Sequence, residues 1–242
     1  MITVIAIDAL EYLLVEEYGN KNLKQASYGK TDITEFREPR TMVLWSSFMT
    51  GANKEKEVLA KGDKEMWNIR WPIEDTFFSG FENPKIIDLP GLNYDTKVHD
   101  KSRRLLKEFF DAEEAGEKEK KRKEYNEDAF RHHRNVKKEF LASLTGDYDF
   151  LLGYFCLTDV VGHLNFGNKT MMKLIHQDLD ETAGKTTEKS DKTIILSDHG
   201  MKAIGAFGDH SKYGYWSTSW KQNLKKPKIT DFKEIILKLK NQ

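Results

Sequence analysis

Three short stretches of this chain are apolar without alternation: ITVIAID (2–8), FLLGYFCL (150–157) and TIILS (193–197). A strand with one face in water alternates polar and apolar residues, so uninterrupted runs belong to strands covered on both faces. KIIDL (85–89) is a fourth candidate. Helical patterns separate the runs, and that order predicts an α/β sandwich, a mostly parallel central sheet flanked by helices. At 242 residues the chain can bury a substantial core, and no repeat or low-complexity linker divides it. One domain over 1–242 is expected.

Composition narrows the function classes. Lys plus Arg and Asp plus Glu number 39 each, so formal net charge is zero. A dedicated nucleic-acid binder would carry a basic excess. The single cysteine, Cys156, rules out an internal disulfide and a thiolate cluster, and its place in the second apolar run reads as core. The longest apolar stretch, Phe150 to Leu157, is too short to span a bilayer. MITVIAIDAL at the start lacks a basic flank and carries Asp8 inside the run, so it reads as a first strand and not a secretory signal. A soluble cytoplasmic protein is expected.

Two segments stand apart. Residues 101–144 hold few strand formers and many charges, with Glu117–Lys121 and Glu119–Lys123 at i, i+4; one or two solvated helices are expected, with a break near Gly116. Leu105, Leu106, Phe109 and Phe110 at one end, and Val136, Phe140, Leu141 and Leu144 at the other, would pack on the sheet. Residues 52–100 form an aromatic-rich insert with Trp67, Trp71, Phe77, Phe78 and Phe81, which suits either a pocket wall or core packing.

The polar residues at the strand ends carry the chemistry. Asp8 closes the first run, TDVVGH places Asp159 and His163 four apart after the second, SDHGM supplies Asp198 and His199 after the third, and GDHSKYG supplies His210. In open α/β sheets ligands bind at the carboxyl ends of strands. Taken singly, Asp8 or Asp159 has routine capping work, the latter for a helix from Val160, and Asp198–His199 suits a turn. Capping does not explain three histidines on one edge. Mixed oxygen and nitrogen donors suit zinc or manganese. His99 in a polar loop, His132 and His133 in the charged segment and His176 in a helical pattern end no strand, and none of the four is expected to be a ligand.

EPRTMVLWSSFMTGAN (38–53) reads as a helix from near Thr41 to Thr50, stopped by Gly51. Thr41 is then either an ordinary N-cap or a hydroxyl placed beside free N–H groups that favour a bound phosphate. Ser46 and Ser47 fall inside the helix and are weaker candidates for a nucleophile.

The order Asp8, Thr41 before a helix ending in TG, TDVVGH, SDHGM and a lone His210 resembles the alkaline phosphatase superfamily, and within it the type I phosphodiesterase/nucleotide pyrophosphatase family. The motifs span residues 8 to 215. The resemblance implies an alkaline-phosphatase-like three-layer sandwich and two divalent metals, zinc foremost and manganese next. It implies that Asp8, Thr41, Asp198 and His199 surround one metal, and that Asp159, His163 and His210 hold the other. Thr41 would attack phosphorus in line to form a phosphothreonine, and water would then release it. The substrate would be a small phosphate ester, with a nucleotide as one candidate.

Two departures matter. The family has an Asn three residues after the nucleophile, and here Leu44 stands there; loss of such a donor costs on the order of 10²-fold in rate, with Arg40 or the helix N–H groups as substitutes. The chain is also short for the family. The expected function is a metal-dependent phosphodiesterase. A phosphomonoesterase or phosphoglycerate-mutase-like phosphotransferase is the enzymatic alternative, and a non-catalytic metal- or ligand-binding protein is the alternative of another class. A sulfatase would need a C/S-x-P-x-R context that is missing.

Overall fold

The computed structural model describes residues 1–240. Among them the strands are β1 (Ile2–Ile7), β2 (Ser27–Asp32), β3 (Pro84–Ile87), β4 (Phe150–Phe155), β5 (Lys192–Ser197), β6 (Met201–Ile204), β7 (Phe207–His210) and β8 (Tyr213–Thr218). The helices are α1 (Tyr12–Glu17), α2 (Lys21–Lys24), α3 (Thr41–Thr50), α4 (Glu55–Leu59), α5 (Gly62–Glu65), α6 (Thr96–Asp111), α7 (Ala115–Ser143), α8 (Leu157–Asn165), α9 (Lys169–Lys189) and α10 (Phe232–Lys240).

Six strands form one sheet in the order β2-β8-β5-β1-β4-β3, and β6 pairs with β7 in a separate hairpin. The central strand β1 runs parallel to β4, from Ile2 opposite Phe150 to Ile7 opposite Phe155, and parallel to β5. β3 extends the parallel set beyond β4, whereas β8 runs against both β5 and β2. The sheet is mostly parallel, as expected.

Val4, Ala6, Leu152, Tyr154, Ile194 and Leu196 face one core with residues of α3 and α10. Their neighbours Ile5, Ile7, Leu151, Phe155 and Ile195 face a second core with residues of α7 and α9. Two apolar faces at period two are why these segments read as continuous runs. The result is three layers. β2 and β8 had no such signature: SYGKTD on an edge strand carries Gly29 and Lys30, and charge on an edge discourages further pairing.

Several local expectations need correction. β4 stops at Phe155, and α8 starts at Leu157 and not at Val160, so Cys156 is the residue before the helix and Asp159 lies in its first turn. Cys156 is buried, though not in a strand. His99 belongs to α6 and not to a polar loop. The charged segment is two helices whose break falls at 112–114, with Gly116 inside the first turn of α7.

The expected i, i+4 pairs of that segment are replaced. Lys121 reaches across to Glu108 of α6 at 2.6 Å, and Arg122 pairs with Glu119. Leu105 and Phe109 pack with Tyr125 of α7 and Leu164 of α8 and not on the sheet, and Phe110 is 56% exposed. Val136, Phe140 and Leu144 do join the second core. In the aromatic insert Phe77, Phe78 and Phe81 surround Phe150 at ring distances of 5.9, 5.5 and 4.6 Å, so these three are core.

Candidate active site

The parallel strands all end on one edge, and the chain leaving each of them turns toward a common centre. Asp8 follows β1 and Asp198–His199 follow β5. After β4 the chain enters α8 at once, and helical spacing sets Asp159 and His163 on one face, with Oδ2 and Nε2 3.3 Å apart. His210 arrives at the end of β7. Gly162 makes that approach possible, because a Cβ there would lie 2.3 Å from Sδ of Met201, in the strand paired with β7.

Thr41 completes the centre. Arg40 is the N-cap of α3 and Thr41 its first helical residue, so the N–H groups of Thr41, Met42 and Val43 have no partner inside the helix. The helix ends, as expected, at Gly51, whose φ of 70° is the left-handed conformation that stops a helix at low cost. Thr41 Oγ1 lies 3.5 Å from His199 Nε2. Ser46 accepts from Trp71 Nε1 and Ser47 donates to the Val43 carbonyl, so both have structural partners.

His199 sits at the middle of the group. Its Nε2 is 3.4 Å from Asp8 Oδ1 and 3.4 Å from Asp198 Oδ2, and its ring stacks on His210 at 3.8 Å. Its Nδ1 lies 3.1 Å from the Gly200 carbonyl, which can only accept, so Nδ1 carries the proton and Nε2 presents a lone pair. A lone pair facing two carboxylates is a donor set that a cation or a shared proton can bridge. Donor atoms of Asp8, Asp198 and His199 fall within 4.8 Å of one another, as do those of Asp159, His199 and His210. His163 joins the second group through Asp159.

The electrostatics agree with this reading. Burial, and then the charges of Asp198 and Asp159, push the Asp8 carboxyl well above its usual range. Burial and the Asp159 charge do the same to Asp198. Burial also acts on Asp159, but His163 and His210 override it and hold that carboxyl well below the usual range. The Asp159 charge in turn lifts His163 to about 9, whereas burial and His210 lower His199 to about 3. Asp8 Oδ1, Asp159 Oδ1, Asp198 Oδ2 and His210 Nε2 are buried atoms without a hydrogen-bond partner. Buried polar atoms are rarely left so, and a cluster of carboxylates and imidazoles with unpartnered atoms fits divalent cations.

Supporting residues escaped the sequence reading. Tyr154 Oη donates to Asp8 Oδ2, Thr158 donates to the Asp8 carbonyl, and Ser197 donates to the His199 carbonyl while accepting from the Leu10 N–H. A tyrosine inside an otherwise apolar strand was the available signal, since its buried hydroxyl must find a partner. Glu11 is buried and accepts from the Met201 N–H at 3.0 Å and from the Tyr213 hydroxyl. It fixes the hairpin that carries His210.

The centre opens on a cavity of about 230 Å³ lined by Thr41, Asp159, His163 and His210, with Trp67 and Tyr94 on its wall. Arg40 also lines it, although its guanidinium pairs with Glu38 and Asp63. His133 binds Asp178 and His176 is buried without a partner for either nitrogen, both apart from this centre. No described helix is long and apolar enough to cross a membrane.

Comparison with known proteins adds the lineage. A family model for type I phosphodiesterase / nucleotide pyrophosphatase matches residues 48–218, which leaves Asp8 and Thr41 ahead of the match. No match is found among curated protein sequences. Among solved structures, murine ectonucleotide pyrophosphatase / phosphodiesterase 5 is similar at 13% identity and a TM-score of 0.48, over 84% of this chain and 58% of that one. An inactive form of that protein in complex with AMP gives 0.44 at the same identity and coverage. The chain thus aligns with little more than half the length of that protein. Because the family match runs through well over half of the chain and takes in both TDVVGH and SDHGM, the chain belongs to the type I phosphodiesterase/nucleotide pyrophosphatase family.

Proposed function

We propose that the protein is a metal-dependent phosphodiesterase that acts through a covalent phosphothreonine at Thr41. The observation that carries this reading is the convergence of Asp8, Asp159 and Asp198 with His163, His199 and His210 on a hydroxyl at a helix N-terminus. Asp8, Asp198 and His199 with Thr41 would hold one divalent ion, and Asp159, His163 and His210 the other, zinc foremost and manganese next. Bound there, the ions would neutralise phosphoryl charge and lower the pKa of the attacking hydroxyl and water.

The chain's own groups do the positioning. The free N–H groups at the start of α3 would receive phosphoryl oxygens beside Thr41 Oγ1, helped by the positive end of the helix dipole. Thr41 Oγ1 would bond to phosphorus as the ester oxygen leaves, and water would then cleave that bond and restore the hydroxyl. Two displacements give net retention at phosphorus. Leu44 is fully buried in the core, so no side-chain donor stands at the family's Asn position. That contact falls to the helix N–H groups and to Arg40. Trp67 stacks on Tyr94 at 6.0 Å with the Arg103 guanidinium 4.2 Å from the Trp67 ring, a flat wall that suits an aromatic or nucleotide substituent.

The test is turnover of bis-p-nitrophenyl phosphate against p-nitrophenyl phosphate with added Zn²⁺ or Mn²⁺. The diester should be preferred, and Thr41→Ala should lower the rate by at least about 10³-fold. Acid-quenched protein should carry one phosphate on the peptide containing Thr41. Preference for the monoester would replace the substrate class, and full activity in Thr41→Ala would reject the nucleophile. Stoichiometric metal binding without turnover of either ester would favour a binding protein.

A further inference from the structure

Glu11 is a buried carboxylate three residues after Asp8. The turn before it is pinned to the end of β5, because the Leu10 N–H donates to Ser197 Oγ at 2.9 Å. Its Oε1 accepts the Leu13 N–H at 3.0 Å and the Tyr213 hydroxyl, and its Oε2 accepts the Met201 N–H at 3.0 Å. Gly200 leaves room for this approach, since a Cβ there would collide with Oε2.

Met201 and Tyr213 stand on either side of the hairpin that carries His210. Met201 is the residue opposite His210 in the β6–β7 ladder, and Tyr213 opens β8 three residues after His210. Between them the base of the hairpin is closed by the Gly200 N–H, which donates to the Tyr213 carbonyl at 2.7 Å, and by the Ser211 N–H, which donates to the Gly200 carbonyl at 2.9 Å. One carboxylate therefore holds both flanks of the segment that delivers His210.

The two ligand groups differ in how they are anchored. Asp8 and Asp198 follow directly on the central strands β1 and β5, with the Asp8 N–H donating to the Phe155 carbonyl and Ser197 Oγ donating to the His199 carbonyl. His210 sits instead on a two-stranded hairpin outside the six-stranded sheet. The tip of that hairpin is held where the Gly167 N–H donates to the Ala206 carbonyl at 3.0 Å, and its base is held by Glu11.

We infer that Glu11 is the positioning residue for His210, and through it for the ion that Asp159, His163 and His210 would hold; the second clause rests on the two-ion reading of the catalytic centre. A carboxylate suits this place because it accepts at both oxygens. In Glu11→Gln the side-chain NH₂ must face either the Met201 N–H or the Leu13 N–H, whichever way the amide turns, so one backbone donor loses its acceptor at nearly unchanged volume.

The test compares wild type, Glu11→Gln, His210→Ala and Ile236→Ala after chelator treatment. Each is titrated with Co²⁺, and amide hydrogen exchange over residues 201–210 is followed by mass spectrometry in the metal-free proteins. His210→Ala identifies which metal equivalent depends on His210. Ile236 is buried in the first core and does not line the active-site cavity, so Ile236→Ala shows what a general loss of stability does. Glu11→Gln should weaken the His210-dependent equivalent by about 10-fold or more and leave the other unchanged. It should also speed exchange in the hairpin by about 10-fold, with exchange in β1 unchanged. Ile236→Ala should leave both affinities as they are. Equal affinity for both ions in wild type and Glu11→Gln, parallel loss of both, or unchanged exchange in the hairpin would overturn the inference. A wild type that binds fewer than two ions would reject the two-ion reading, and the exchange result then decides alone whether Glu11 positions the hairpin.

Discussion

Asp198 and Asp88 leave parallel strands of one sheet at the same edge, yet their surroundings treat a buried carboxylate in opposite ways. Around Asp198 acceptors outnumber donors: Asp8 Oδ1, Asp159 Oδ1 and Asp198 Oδ2 have no hydrogen-bond partner, and burial with the Asp159 charge drives the Asp198 pKa up. Around Asp88 burial acts in the same direction, but the hydrogen bonds from His132 and His99 override it and bring the pKa down to about 2. The first cluster has acceptors to spare. The second balances its own hydrogen bonds, with one carboxylate accepting from two imidazoles and a backbone N–H. Unpartnered acceptors, more than a count of histidines, mark where a cation would be stabilised.

The comparison breaks most sharply in the metal-free protein. In chelator-treated samples Asp88→Asn should lower unfolding free energy by about 1–3 kcal/mol, because it places an amide where three N–H groups need acceptors. Asp198→Asn should instead raise stability, by about 1 kcal/mol, because it removes one of three mutually repelling carboxylates. Urea midpoints that move in the same direction for both variants would remove the distinction.

A third imidazole sharpens it. His176 is fully buried with neither nitrogen hydrogen-bonded, and burial alone lowers its pKa to about 3. The unfolded chain takes up a proton near pH 6.5 that the folded chain refuses, so stability is lost as pH falls from about 6.5 toward 3. His176→Phe keeps the edge contact with Tyr18 and should remove that loss, about 1 kcal/mol between pH 7 and 5.5. Identical pH dependence in both proteins would count against it. At the small end, Lys123 and Glu127 form a 4.0 Å pair with both side chains well exposed. Lys123→Ala should change the thermal midpoint negligibly, within about 0.5 kcal/mol in stability, and a larger loss would give α7 a role beyond solvation.

Much of this molecule could be read from its residues. The strands β1, β4 and β5 announced themselves because both of their faces are covered, and a segment covered on both faces has no polar positions to break the run. The helix over Thr41–Thr50 was legible from Pro39 before it and Gly51 after it. β2 and β8 were not, since an edge strand and its neighbour need no continuous apolar pattern. The break between α6 and α7 was misplaced because a glycine in the first turn of a helix weakens it without ending it. Likewise, Lys121 prefers Glu108 on the neighbouring helix to Glu117 on its own, which no one-dimensional spacing reveals.

The same division runs through the site. Strand ends followed by Asp, Asp-x-x-x-His and Asp-His determined by themselves that carboxylates and imidazoles would meet at one edge, because parallel strands share a direction and so share an end. Local sequence also placed Thr41 at a helix start. Only the tertiary structure decided that His199 sits between both ligand groups, that Tyr154 supports Asp8, and that Asp88 gathers His99 and His132 beside Cys156. Those relations join segments tens to hundreds of residues apart, such as Asp8 with Tyr154 and Asp88 with His132. Their physical cause is the packing of strands and helices across the sheet, which periodicity along the chain does not encode.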